Sequence, residues 1–332
     1  MREEKTRLRE ITYAEALYEA MREEMLGNEA VFVMGEDVAL YGGAYKATKG
    51  LYEEFGEKRV KDTPISESTI VGTALGAAIA GLRPVAEIMF GDFLALAMDQ
   101  IINQVAKAKY MSGGKVKVPL VIRSNIGARG STAAQHSQSP HGWFLNVPGL
   151  KIVIPAIPYD AKGMLKTAIR DDNPVLFFEH KLLYPMKGPV PKEEYTVPLG
   201  KAEIRKEGKD ITILAVSLMV HKVMKVTEEL QREGISAEVI DLRSLVPLDM
   251  DTIVNSVKKT GKLLIVDEGC KTGGIGAEIA AQVMCEAFEY LDEPIERIGA
   301  LDFPIPFSPP LEKHIIPDEN RIIRAVYKMI KQ

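Results

Sequence analysis

The residues of this chain best suited to chemistry are a glutamate, an aromatic and a histidine, each in a distinctive setting. Glu67 lies in Asp62-Thr63-Pro64-Ile65-Ser66-Glu67-Ser68, just ahead of an alanine- and glycine-rich run over 69–81. Pro64 pushes Thr63 into an extended conformation, and Ser66 or Ser68 can cap the helix that follows. Glu67 thus falls at a strand-to-helix junction beside Ile65 and Ile70. A carboxylate there can simply complement the helix dipole. A carboxyl buried among apolar neighbours is instead suited to proton transfer near neutrality. Glu36, in Gly35-Glu36-Asp37, ends another apolar run and either faces the same site or caps its own loop. Phe93 follows the next such run and either stacks on a ligand or packs in the core. His136 sits in Gln135-His136-Ser137-Gln138, among groups able to hold an imidazole in one tautomer. His141 is expected at the surface.

The elements that position these residues read as two successive strand–helix alternations. Thr12 and Glu15 form a capping box for a helix over 13–26, stopped by Gly27-Asn28. Short apolar runs at 30–34, 84–89, 118–122, 151–155 and 175–178 have the character of buried parallel strands. Helices are predicted over 48–55, 94–110 and 159–170, with 59–61 extended. Glu36 and Glu67 both stand near strand carboxyl ends, where ligand sites of open sheets gather. The segment 123–141 is polar, lacks periodicity and is long for a structureless loop, a mark of function or disorder. Proline-rich 185–198 is the expected linker between domains 1–190 and 199–332. Beyond it, strands at 211–216, 237–240 and 263–266 alternate with helices at 219–233, 248–258 and 275–287. A proline-rich stretch, 303–310, and a helix from about 319 close the chain. The fold class is therefore α/β, with two open, mostly parallel sheets. Gly72, Gly76 and Ala80 line one helical face with almost no side chain, so another helix can approach closely.

Composition narrows the function classes. The chain has 332 residues, 46% hydrophobic and 27% charged, with net charge −4. Scattered basic residues on a slightly acidic chain argue against nucleic acid. No apolar run is long enough for a membrane span. Cys270 and Cys285 lack metal-ligand spacing and read as reduced thiols of a cytoplasmic protein. The charged start, MREEKTRLRE, has no apolar core and is not expected to be a secretory signal. Gly273-Gly274-Ile275-Gly276 does not meet dinucleotide-loop spacing and reads as a helix start, which disfavours a nicotinamide dehydrogenase.

The DTPISES segment and its glycine-rich helix resemble the cofactor-activating segment of beta subunits of thiamine-diphosphate-dependent 2-oxoacid and acetoin dehydrogenase complexes. Blocks in the same order extend the resemblance over nearly the whole chain: GEDV, GAYKATKGLYEEFG, AKYMSGG, AAQHSQSP, PGLKIVIP, YDAKGMLKTAIRDDNPV, EVIDLRSLVPLD and TGGIGAEI. The resemblance implies a transketolase-like pyrimidine-binding domain followed by a transketolase C-terminal-like domain. It implies that Glu67 activates thiamine diphosphate at the pyrimidine ring, that Phe93 stacks on that ring, that Glu36 and Ile65 line the site, and that His136 assists proton or acyl transfer. It also implies a potassium ion at the Asp171-Asp172-Asn173 turn, contacted by Leu120, Ala168, Ile169, Asp171 and Asn173; a bare turn is the alternative.

The family's Gly-Asp-Gly motif, which holds magnesium and the diphosphate, is absent from this sequence. The resemblance then implies an alpha subunit carrying that half, an α2β2 assembly, and docking to a lipoyl acyltransferase core with Asp302 as a candidate contact. Phe93 and Ala133-Ala134-Gln135 lean toward pyruvate or acetoin rather than a branched-chain 2-oxoacid, and 178–184 looks most like acetoin dehydrogenase. A transketolase-like half protein and a non-enzymatic scaffold for an acyltransferase core are the alternatives.

Overall fold

The computed structural model describes residues 8–330, so most of the charged start lies outside the described residues. Two compact units are present. One comprises the chain up to Ile126 with Asn146–Leu199; the other comprises Gly127–Leu145 and the chain from Gly200 onward.

In the first unit, β1 (Leu8–Thr12) leads into α1 (Tyr13–Gly27) through the expected capping box. The Thr12 hydroxyl accepts from Glu15 N at 3.1 Å, and the Glu15 carboxylate accepts from Thr12 N at 2.7 Å. Then come β2 (Val31–Gly35), α2 (Leu51–Phe55), β3 (Val60–Asp62), α3 (Glu67–Ile79), β4 (Arg83–Ile88), α4 (Ala108–Met111), β5 (Val121–Ile126), β6 (Lys151–Val153), α5 (Pro158–Arg170), β7 (Val175–His180) and β8 (Lys187–Pro191). Six strands lie in the order β6-β7-β5-β4-β2-β3, all parallel. Their Val, Ile, Leu and Phe residues are buried, as sheets covered on both faces require.

Beneath the central strands, Arg123 is fully buried. Its Nε and Nη2 donate to Glu179 at 2.7 and 2.8 Å, and its Nη1 donates to Glu87 at 2.9 Å. Such a charge persists in a core only when paired, so this cluster ties β4, β5 and β7 to one another. Between α1 and α5, Lys162 is likewise buried and donates to Glu19 and Glu23 at 3.0 and 2.6 Å.

The second unit contains β9 (Glu203–Lys206), β10 (Ile211–Ala215), α6 (Leu218–Arg232), β11 (Ala237–Asp241), β12 (Ser244–Val246), α7 (Met250–Thr260), β13 (Leu263–Cys270), α8 (Ile275–Ala287), β14 (Glu296–Ala300), α9 (Pro309–Ile315) and α10 (Glu319–Ile330). Its sheet runs β14-β13-β10-β11-β9, parallel except for β9. Gly274 caps α8, so the glycine cluster is a helix start. No helix among the described residues is long and apolar enough to cross a membrane. Cys270 and Cys285 are both free and exposed.

Several elements differ from expectation. The helix predicted over 94–110 is a 3-10 turn at Gly91–Ala97, a π turn at Gln100–Val105 and then α4. The segment is thus helical nearly throughout but changes its winding; near its end a Cβ on Gly149 would lie 2.0 Å from the Ala106 carbonyl, so no larger residue fits at 149. The helix expected from 48 starts at Leu51, because Gly50 is left-handed at φ 97°. Ser66 occupies the N-cap of α3, but its hydroxyl bonds the Thr69 hydroxyl at 2.8 Å and makes no capping bond to the backbone. The 185–198 segment is not wholly a linker: β8 pairs antiparallel with β1, where an edge position tolerates its prolines.

Candidate functional site

Three neighbouring strands deliver the predicted residues of the first unit. β4, β2 and β3 are adjacent and parallel, so their carboxyl ends lie side by side. Glu36 follows the end of β2, Ile65 and Glu67 follow the end of β3, and Phe93 follows the end of β4. Thr63 N donates to Gly35 O at 3.0 Å, which ties the approach to Glu67 onto the end of β2. Gly35 itself has φ 157°, and a Cβ there would lie 2.6 Å from Glu87 O, so only glycine fits between β2 and β4.

Glu67 is the first residue of α3 and only 6% exposed. Glu36 is 8% exposed. Burial pushes the Glu36 carboxyl above its ordinary value, and the nearby charges of Glu67 and Asp37 push it further in the same direction. Two carboxylates are therefore close enough to repel, and one of them holds its proton to higher pH than usual. Ile65 is 83% exposed, an unusual setting for an isoleucine. Phe93 is half-buried on the 3-10 turn, its ring edge-on to Phe90 with centroids 5.5 Å apart. The 3-10 turn packs against α3. A buried acid beside exposed apolar surface is what an aminopyrimidine ring needs for a hydrogen bond at its edge and contact on its faces. These residues fit the pyrimidine half of thiamine diphosphate.

The turn after α5 is more occupied than a bare turn. Arg83 donates to Ile169 O and Asp171 O, each at 2.8 Å. Lys109 donates to Asn173 Oδ1 at 2.7 Å, and Lys151 pairs with the Asp171 carboxylate. Burial works against an ionised Asp171, but Lys151 and the Asn173 N–H groups hold its pKa below the ordinary value. Leu120 O accepts from Val175 N and Ala168 O from Asp171 N. Carbonyl and carboxylate oxygens are the ligand type an alkali cation takes, and here they already receive three cationic side chains, Arg83, Lys109 and Lys151.

His136 belongs to the second unit, in the polar loop Gly127–Leu145, and is half-buried. Its carbonyl accepts from the Thr132 hydroxyl at 3.1 Å, and its N–H donates to Ala133 O at 3.3 Å. His141 is a correction. It is 1% exposed, not at the surface, because Asp267 reaches it from the end of β13 with Oδ2 2.8 Å from Nε2. Two further carboxylates hold this loop: Glu268 accepts from Ala128 N at 2.9 Å, and Glu312 accepts from Gly130 N and Ser131 N at 3.0 and 2.9 Å. Sequence reasoning missed Asp267, Glu268 and Glu312, since each is remote along the chain from the loop it grips. Asp302 is exposed and accepts from the Thr272 hydroxyl at 3.4 Å.

The transketolase pyrimidine binding domain family matches residues 9–187, and the transketolase C-terminal domain family matches residues 200–322. The chain is 50% identical over 320 residues to the pyruvate dehydrogenase E1 component subunit beta of Rickettsia bellii (strain RML369-C), covering 96% of this chain and 98% of that protein. It is 47% identical to the acetoin:2,6-dichlorophenolindophenol oxidoreductase subunit beta of Bacillus subtilis (strain 168), over 97% of this chain and 98% of that one. It is 46% identical to the 2-oxoisovalerate dehydrogenase subunit beta of the same organism, over 96% and 98%. Among solved structures, a split-gene transketolase described as an inactive beta4 tetramer superposes with a TM-score of 0.79 at 25% identity, covering 97% of this chain and 98% of that chain.

Proposed function

Because the chain belongs to the family of E1 beta subunits of pyruvate, acetoin and branched-chain 2-oxoacid dehydrogenases, we propose that it binds the pyrimidine half of thiamine diphosphate and works only with an alpha subunit. When bound, the cofactor supplies the electron sink for breaking the bond beside the substrate carbonyl. Glu67 holds and exchanges a proton at the pyrimidine ring nitrogen. Glu36 lines the same strand ends, its carboxyl pushed above its ordinary value by burial and by the charges of Glu67 and Asp37. Phe93 offers a ring face for stacking and Ile65 an apolar contact, while His136 assists proton or acyl transfer. Leu120, Ala168, Ile169, Asp171 and Asn173 would hold a potassium ion at the turn after α5, which would brace that turn. The substrate in this reading is pyruvate or acetoin, and the acyl product passes to a lipoyl acyltransferase whose core docks on the second unit, with Asp302 a contact.

The observation that carries the proposal is the meeting of Glu36, Glu67 and Phe93 at three adjacent strand ends, in a chain without Gly-Asp-Gly. With no diphosphate motif of its own, the chain needs an alpha subunit to hold the diphosphate and magnesium, in an α2β2 assembly. Gly76 and Ala80 are exposed, so the small-residue face of α3 is available to a partner helix. The related transketolase chain that assembles with itself alone is named inactive.

Reconstitution tests this. The chain is purified alone and with a 2-oxoacid dehydrogenase alpha subunit bearing Gly-Asp-Gly, and pyruvate- and acetoin-dependent reduction of an artificial electron acceptor is followed. Turnover is expected only from the pair. Robust thiamine-dependent turnover by the chain alone contradicts the shared site. Adding the acyltransferase should give a larger assembly, weakened by Asp302→Ala.

A further inference from the structure

The loop that carries His136 has a backbone that would not hold its shape unaided. Gly130, Ser131 and Ala133 have φ of 54°, 67° and 60°, in the left-handed region. For residues other than glycine that conformation costs on the order of 1–2 kcal/mol each and persists where surrounding contacts over-determine it. Those contacts are present. Glu312, buried on α9, places one carboxylate oxygen on Gly130 N and the other on Ser131 N. Gripping two successive N–H groups with both oxygens fixes the orientation of the turn as well as its place. Charge on the acceptor makes these bonds about twice as strong as neutral ones.

The grip continues toward the histidine. Thr132, next to Ser131, bonds the His136 carbonyl and shares a 2.7 Å hydrogen bond with the Ser137 hydroxyl. Glu268 holds Ala128 N, Gly127 N donates to Gln138 O at 2.9 Å, and Asp267 holds His141. The ends of the loop are thus fixed by β13, and its strained middle by Glu312 alone among the three carboxylates.

We propose that Glu312 is a positioning residue for His136: it sets the Gly130–Ser131 turn and, through Thr132, the backbone from which the imidazole projects. This rests on the reading of His136 as a participant in the reaction. Glu312 touches no reacting atom, so its effect should appear in the alignment of the loop rather than in the presence of any chemical group. Glu312→Gln keeps the size and one acceptor but turns an N–H donor toward a backbone N–H. Glu312→Asp keeps the charge at shorter reach.

The experiment uses the α/β complex and compares wild type with Glu312→Gln, Glu312→Asp and His136→Ala. Amide hydrogen exchange over 127–137, melting temperature, kcat and KM are measured on each assembled complex. The expected result is faster exchange confined to the loop in Glu312→Gln. Its kcat should fall by about 10²-fold, the scale of a misplacement near 1 Å, with KM little changed. Glu312→Asp should recover part of both losses, and it also serves if the glutamine variant does not assemble. Wild-type exchange in both Glu312 variants overturns the clamp. Fast exchange with undiminished kcat, while His136→Ala is inactive, overturns positioning and leaves Glu312 as a structural brace. Full turnover by His136→Ala overturns the underlying reading of His136 itself, an outcome the exchange data keep separate from the clamp.

Discussion

Burial alone would discharge His141, because a low-dielectric surround penalises the imidazolium. The Asp267 carboxylate outweighs that penalty by charge and hydrogen bond, Glu268 adds to it, and together they hold the His141 pKa above its ordinary 6.5. A raised folded-state value means that the pair stabilises fully below pH 6.5, and that this stability is lost as pH rises through the folded value. His141→Ala leaves Asp267 buried without its partner, at a cost of roughly 3–5 kcal/mol. The loss of melting temperature in His141→Ala should therefore be large at pH 6 and smaller at pH 9. An equal loss at both values would mean that the imidazole is neutral throughout and acts only by packing. Glu36 follows the same rule of sign. Its raised carboxyl contributes most below the ordinary 4.5 and loses that contribution as pH rises through the folded value.

The carboxyl ends of β2, β3 and β4 bring the first unit's residues together, and the turn after α5 lies at the opposite, amino ends of the parallel strands, where Arg83 opens β4. If potassium shares that turn with Arg83, Lys109 and Lys151, the assembled complex should melt higher in potassium chloride than in choline chloride at equal ionic strength. A ligand at a hundredfold excess over its dissociation constant contributes about 2.7 kcal/mol, and about 2–4 °C accompanies each kcal/mol in a domain of this size. Asp171→Ala should abolish the difference. Identical melting of the wild type in both salts would count against a bound ion. These elements were partly legible beforehand. The Thr12–Glu15 capping box and the 275–287 helix stand where local chemistry puts them. The 94–110 segment is helical as expected, but its change of winding from 3-10 to π to α is not written in its residues. The edge pairing of β8 with β1 was hidden in the same way, because its prolines read as linker. The carboxylates at 267, 268 and 312 were invisible for a related reason: each meets its partner only through the fold of the second unit.

Taken as a whole, the chain belongs to the E1 beta-subunit family, and that membership was legible because many short blocks stand in one order along nearly its full length. Where Glu67 lies was legible as well; its burial and the closeness of Glu36 needed the three parallel strands. In the assembled α/β complex, the role of Glu67 is open to direct measurement. Glu67→Gln keeps the side chain's size and a hydrogen bond to the pyrimidine ring but cannot pass a proton to it. The variant should still assemble and bind thiamine diphosphate, while exchange of the thiazolium proton for deuterium slows by about 10²–10⁴-fold, the usual worth of general acid–base participation. Unchanged exchange at saturating cofactor would contradict a proton-transferring Glu67 and reduce it to a group that only positions the ring.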